Sequence, residues 1–141
     1  MARWTRPTLD TKFHIDFDWW KRNNRSLRIH LHRNLCDACR ELYPSHRGAE
    51  MVDWIDPDTA EIYQVDGLWQ ALRMHCSRES DYVTESTPLT AAIFRTFLAN
   101  GNVPLTPAEL SKQVQRPAEQ ILRTLTSNRV YDGIKPIVLH A

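Results

Sequence analysis

Glycine is scarce in this 141-residue chain, which has only four. A loop that cradles phosphates needs several glycines close together, because only a residue without a Cβ lets the backbone approach the phosphate oxygens. Nucleotide-binding loops of that kind are excluded. An excess of one charge is also missing, since eighteen Lys/Arg stand against seventeen Asp/Glu. Bulk charge therefore does not make the whole chain a polyanion binder. No apolar run approaches the roughly 20 residues that a helix needs to cross a bilayer, so no transmembrane helix and no membrane partner are expected. The opening Met1-Ala-Arg-Trp-Thr-Arg-Pro7 has no apolar signal region, and a cytoplasmic location is the expectation. Cysteine is limited to three residues, an odd number that speaks against a disulfide framework. No nucleophile stands in a recognisable motif with a histidine partner. The acidic pair Asp16/Asp18 and the trio Asp53/Asp56/Asp58 are of a kind common in turns. No catalytic set emerges, and the chain is not expected to be an enzyme.

What is present is an ordinary globular composition, 42% apolar and 25% charged, with enough length for one good core or two small ones. The charge is segregated along the chain. Residues 1–47 hold ten Lys/Arg and five Asp/Glu, residues 48–86 two and nine, and residues 87–141 six and three. The middle is an acidic lobe between basic flanks, suited to packing on them or to repelling nucleic acid.

Residues 1–12 read as an extended arm. Phe13, Ile15, Phe17 and Trp19 then alternate with polar residues, which argues a strand, although Asp16 could equally cap a short helix through Trp20. Arg22-Asn-Asn-Arg25 is a polar break. Ser26 precedes Leu27, Leu31 and Leu35, spaced by four, which favours a capped helix over the competing strand on Leu27, Ile29 and Leu31. Arg40 to Tyr43 adds a further turn. Met51–Ile55 and Glu61–Val65 are short β-prone runs around the turn-rich Asp56–Ala60, and together predict a hairpin. Asp66 caps a helix from Gly67 to about Cys76, with Leu68, Ala71, Leu72 and His75 on one face. Ser77–Pro88 is polar and irregular, the best linker in the chain. It separates an aromatic-rich, cysteine-containing lobe at 1–80 from a second domain at 87–141. Trp4, Phe13, Phe17, Trp19, Trp20, Trp54 and Trp69 make a dense aromatic set. Such rings can stack on bases when interleaved with Arg, but the alternation assigns most of them to a core. Trp4, in its basic arm, is the exception.

The last third carries the sharpest local signals. Ile93, Phe94, Phe97 and Leu98 form an apolar stripe that ends at Asn100-Gly101, with glycine suited to a left-handed C-cap. Thr106-Pro-Ala-Glu109 is a capping box with proline at the first helical position, and Leu110 and Val114 form the buried side of that helix. Pro117 opens a third helix, with Ile121, Leu122 and Leu125 inward and Glu119, Gln120, Arg123, Thr124 and Ser127 outward. Asp132-Gly133, between Tyr131 and Ile134, supplies the positive φ angles of a two-residue hairpin.

Over roughly 50 residues this pattern of caps and periods resembles the winged helix-turn-helix superfamily. The resemblance implies contact with double-stranded DNA through the third helix and the hairpin, or wing. It points to Gln120, Arg123, Thr124 and Ser127 on the helix and to Arg129 and Lys135 at the wing. Arg and Gln can pair bidentately with guanine and adenine edges, and Thr and Ser can reach phosphates. The third helix carries Arg123 as its only cation, offset by Glu119. Winged helices also serve as protein–protein modules, so a protein partner stays open.

Cys36 and Cys39 form a Cys-x-x-Cys, which lets two thiolates reach one ion about 2.3 Å away and makes half of a tetrahedral zinc site. Cys76 is the third candidate ligand. For the fourth, His32, four residues before Cys36, or His46, seven after Cys39, is favoured, with His14 and His30 also possible. His75 falls on an apolar stripe and reads as packed or hydrogen-bonded. Buried thiols with no metal, or an iron–sulfur or redox role, are the competing readings.

The sequence thus predicts an α+β protein with an N-terminal lobe, possibly zinc-bound, and a C-terminal winged helix. The expected function is a small DNA-binding regulator of transcription or an accessory factor. An interaction adaptor of a larger complex and a redox or metal sensor are the alternatives.

Overall fold

The computed structural model describes residues 6–45, 52–55, 59, 60 and 62–137. Trp4, His46 and most of the turn at 56–60 lie outside the described residues. The fold is mixed α+β. Among the described residues there are seven α-helices and two two-stranded antiparallel sheets. None of the helices is long and apolar enough to cross a membrane. The chain divides into two compact units, one formed by Ser26–Tyr82 and the other by Met1–Arg25 together with Val83–Ala141.

The Ser26–Tyr82 unit holds α2 (Leu27–Arg33), α3 (Asp37–Leu42), β2 (Val52–Ile55), β3 (Ile62–Val65) and α4 (Gly67–Met74), followed by a short 3-10 turn at Cys76–Arg78. Ser26 caps α2 by accepting from the Ile29 N–H, and Asp66 caps α4 by accepting from Leu68 and Trp69. Each cap satisfies N–H groups that the first helical turn leaves without partners. Asp66 also takes an ion pair from Arg28, so one carboxylate serves both the start of α4 and the side of α2. These helices pack together and bury Leu31, Leu35, Leu68 and Leu72. Fully burying a leucine side chain contributes about 1.5–3 kcal/mol. The predicted hairpin is present, with Val52 opposite Val65 and Ile55 opposite Ile62.

The other unit holds β1 (Phe13–Ile15), α1 (Phe17–Arg22), α5 (Leu89–Ala99), α6 (Pro107–Val114), α7 (Ala118–Leu125) and β4 (Ile134–Pro136). The two readings of residues 13–20 both hold in part, because β1 is a strand and Asp16 caps α1 by accepting from the Asp18 N–H. Helix α5 ends with Gly101 at φ +76, and the Asn102 N–H bonds back to Phe97 O at 2.7 Å, a left-handed closure that favours glycine. The capping box at Thr106 and Glu109 forms in both directions. Helices α6 and α7 are joined by Gln115-Arg116-Pro117, with Gln115 left-handed at φ +56. The core is Phe13, Ile15, Trp20, Ile93, Phe94, Phe97, Leu98, Leu110, Ile121 and Ile134.

The structure departs from two expectations. Residues 129–137 do not fold on themselves as a hairpin. Asp132 and Gly133 do adopt positive φ, and the Ile134 N–H does close on Tyr131 O at 2.9 Å, but β4 pairs with β1 in the register Phe13–Pro136, His14–Lys135, Ile15–Ile134. The alternating Phe13 and Ile15 give β4 a partner that buries apolar side chains, whereas Arg129 is exposed and Tyr131 only half-buried. On its other edge β1 bridges Leu105, with bonds of 2.8 and 3.1 Å. For the same reason residues 1–80 are not one lobe. The strand and helix before Arg25 belong with the C-terminal helices, and the division of the chain falls at Arg25 and at Tyr82.

Candidate metal centre

Four ligand atoms converge within the Ser26–Tyr82 unit. The sulfurs of Cys36, Cys39 and Cys76 and a ring nitrogen of His75 all lie within 4.8 Å of one another. Cys36 is the N-cap residue of α3 and Cys39 sits in its first turn, so the Cys-x-x-Cys spacing turns both sulfurs to one side of the helix start. His75 and Cys76 come from the residues where α4 stops. His75 leaves helical geometry at φ −122, ψ −60, and it is exposed where Leu68 and Leu72 are buried. The individual separations are 3.4 Å from Cys36 Sγ to Cys76 Sγ, 3.4 Å from Cys36 Sγ to His75 Nδ1 and 3.5 Å from Cys39 Sγ to His75 Nδ1. A tetrahedron with metal–sulfur bonds of about 2.3 Å has edges of about 3.8 Å. The four donors are therefore spaced to hold a metal ion. All three cysteines are free thiols.

Burial grades the site from inside to outside. Cys39 and Cys76 are buried, Cys36 is half-buried and His75 is exposed. Burial pushes the Cys76 thiol up to about 12, and the neighbouring Cys36 and Cys39 thiols add to the shift despite the Cys36 N–H at 3.2 Å. Cys39 is likewise raised, chiefly by burial. Cys36 moves the other way: burial raises it, but hydrogen bonds from the Cys39 backbone, from the Cys76 and Cys39 side chains and from His75 outweigh burial and hold it below the usual thiol range. A metal ion must displace the protons that this packing keeps on Cys39 and Cys76.

The fourth donor differs from the expectation. His32 is not part of the cluster. Its Nε2 lies 2.8 Å from the carbonyl of Tyr43, which ties the end of α2 to the end of α3. The cluster includes neither His14 nor His30. Helical spacing from Leu68 and Leu72 puts His75 on the apolar face, but α4 ends at Met74, one residue too early for that face to include it. The signal that could have found it is its direct adjacency to Cys76.

The residues expected to meet DNA are placed unevenly. Gln120 and Arg123 are exposed on α7. Thr124 Oγ1 donates to Gln120 O at 2.9 Å, and Ser127 Oγ faces the carbonyls of Thr124 and Arg129 at 3.0 and 3.2 Å, so both hydroxyls are engaged with their own backbone. The Arg129 guanidinium packs 5.2 Å from the centre of the Tyr131 ring. Lys135 lies in β4, 3.7 Å from the Asp16 carboxylate. Arg116, which no sequence motif marks, donates to the carbonyls of Glu85 and Thr87 at 2.7 Å each and pins the 84–87 turn beside the α6–α7 connection.

Comparison with protein-family models, with curated proteins and with solved structures finds no match for this chain.

Proposed function

We propose that the protein is a small zinc-binding, DNA-binding regulator or accessory factor. The observation that carries the metal half is the convergence of Cys36, Cys39, His75 and Cys76. Three thiolates and one imidazole are a donor set typical of zinc, and four protein ligands leave no open position for substrate, which makes the ion structural. The set falls short of the four thiolates that usually hold an iron–sulfur cluster. Zinc here ties the start of α3 to the end of α4, so chelation should loosen this unit.

The DNA half reads α5, α6 and α7 with the β1–β4 sheet as a winged helix-turn-helix whose sheet borrows its second strand from the N-terminal segment. Helix α7 presents Gln120 and Arg123 outward, residue types that read adenine and guanine edges. Charge supports this reading. The unit formed by Met1–Arg25 and Val83–Ala141 holds twelve Lys/Arg and seven Asp/Glu, whereas Ser26–Tyr82 holds six and ten. A cationic unit gains affinity for duplex DNA by releasing its counterions. Metal analysis of the purified protein, followed by a salt-dependent shift of duplex DNA, tests both halves. One zinc per chain and a shift that weakens steeply with salt are expected. A metal-free native protein, or no shift at low salt, overturns the corresponding half.

A second reading, an interaction adaptor, is favoured by one observation. Ile29, Leu42, Ile62 and Met74 are exposed large apolar side chains of the acidic unit, with Leu42 at 73% and Ile62 at 67%, while the other unit contributes only Val103 among the described residues. Exposed apolar side chains on an acidic surface suit a protein partner better than a phosphate backbone.

A further inference from the structure

We propose that Lys21 and Arg25, in the exposed corner that closes α1, grip the phosphate backbone of duplex DNA alongside helix α7. The proposal rests on the reading of this unit as DNA-binding and locates the contact that α7 cannot supply. Helix α7 brings one cation, Arg123, against Glu119. Several other cations of the unit are already engaged. Asp16 takes Arg22 at 3.1 Å and Lys135 at 3.7 Å, and Arg116 is spent on main-chain carbonyls. Lys21 and Arg25 differ. Every residue from Lys21 to Ser26 is exposed, and among the described residues no carboxylate is bonded to either cation.

The corner is also held in shape. Asn24 adopts φ +52, its N–H bonds to Lys21 O at 3.2 Å, and the Arg25 N–H bonds to Trp20 O at 2.9 Å. The Asn23 side chain donates to Trp19 O at 2.8 Å. The Arg25 guanidinium lies 5.4 Å from the ring centres of both Trp19 and Trp20. Stacking on indoles orients the planar fork without neutralising its charge. A phosphate therefore meets a preorganised donor, and less side-chain entropy is lost on binding.

The same corner adjoins the chain leaving α7. A Cβ added at Gly133 would stand 2.8 Å from Trp20 Nε1 and 3.2 Å from Trp19 Cε3, so the turn that follows α7 lies against the two indoles that carry Arg25. The α1 corner and the 132–133 turn thus lie against each other, and the chain reaches that turn seven residues after the end of α7.

The test measures the affinity of the intact 141-residue chain, loaded with zinc, for a fluorescent 25-base-pair duplex across a salt series. Each lost phosphate contact lowers the slope of log K against log salt by about 0.9. Lys21→Ala should lower the slope by about one unit and Lys21→Ala/Arg25→Ala by about two, while Lys21→Arg and Arg25→Lys keep it. Lys21 does not stack on the indoles, so Lys21→Ala alone decides the question if the double variant melts early. Wild-type binding whose slope is unchanged in Lys21→Ala and in a folded double variant overturns this inference and leaves the DNA reading standing. No duplex binding by the wild type overturns the DNA reading itself. Loss of binding to single-stranded RNA or to an acidic peptide, with duplex binding intact, assigns the corner to another partner and overturns the inference.

Discussion

The side chain of Asn102 completes the hydrogen bonding of Ile15. The Ile15 N–H donates to Asn102 Oδ1 at 2.8 Å, and Asn102 Nδ2 donates to Ile15 O at 3.0 Å. One carboxamide thus does for Ile15 what the Leu105 backbone does for Phe13, and the edge of β1 is satisfied by a residue that is not in a strand. Asn102 itself sits at φ +63, a conformation that asparagine tolerates better than alanine does.

Replacing this side chain should be costly in a graded way. Each partly buried hydrogen bond is worth about 1 kcal/mol, and the backbone groups left behind lose their partner. Asn102→Gly, which keeps the positive φ, should cost about 2 kcal/mol, and Asn102→Ala about 1 kcal/mol more. Urea denaturation measures both. Equal stability of Asn102→Ala and wild type would show that the carboxamide pairing contributes nothing.

Gly133 is required by space as well as by φ. It lies at φ +76, and a Cβ there would meet Trp20 Nε1, Asp16 O at 3.1 Å and Trp19 Cε3. A backbone oxygen cannot rotate away as a flexible side chain can. Gly133→Ala should therefore lower stability by at least about 2 kcal/mol, which adds left-handed strain to overpacking. Asn128→Ala, at an exposed position of the preceding segment, is the control and should stay within about 0.5 kcal/mol of wild type. A Gly133→Ala protein that melts like the control contradicts the close approach.

Asp16 gives the fold an acid sensitivity of known sign. Burial pushes its carboxyl up, but the Arg22 hydrogen bond, the Asp18 N–H and the charges of Arg22 and Lys135 outweigh that and hold it below the usual aspartate range. A carboxyl lowered in the folded state stabilises fully above its unfolded-state value of about 3.9, and the contribution is lost as pH falls through the folded value. Asp16→Asn preserves a good N-cap while removing the charge. The stability difference between wild type and Asp16→Asn should therefore shrink below about pH 4. A difference that is the same at pH 7 and pH 3 would assign the effect of Asp16 to capping alone.

The parts of the fold legible in the sequence are those encoded locally. Ser26, Asp66 and Thr106 mark helix starts because a cap and its N–H partners lie within three residues. The 52–65 hairpin is likewise short-range. The pairing of β1 with β4 was not legible, because Phe13 and Pro136 are brought together by a shared core and by no local signal. Asp132-Gly133 correctly announced a turn, yet a turn does not say which strand follows it into the sheet. At the metal centre the thiols were legible from the Cys-x-x-Cys spacing. His75 was concealed by a helical period that continues past the residue at which α4 ends.

The two histidines should separate cleanly. His75→Ala removes a donor from the cluster, whereas His32 holds the Tyr43 carbonyl. Competition with a chromophoric chelator should show zinc affinity falling at least tenfold in His75→Ala, on the scale seen when a site loses ligand support. In His32→Ala it should stay within about threefold of wild type, a difference under 1 kcal/mol. The reverse order would restore His32 as the ligand.

The proposal that Cys36, Cys39, His75 and Cys76 jointly hold one zinc ion is tested most directly by zinc K-edge X-ray absorption on the purified protein. The expected spectrum has three sulfur neighbours at about 2.3 Å and one nitrogen at about 2.0–2.1 Å, with one zinc per chain in the same sample. A shell of oxygen and nitrogen without sulfur, or a native protein that carries no zinc, would contradict the account.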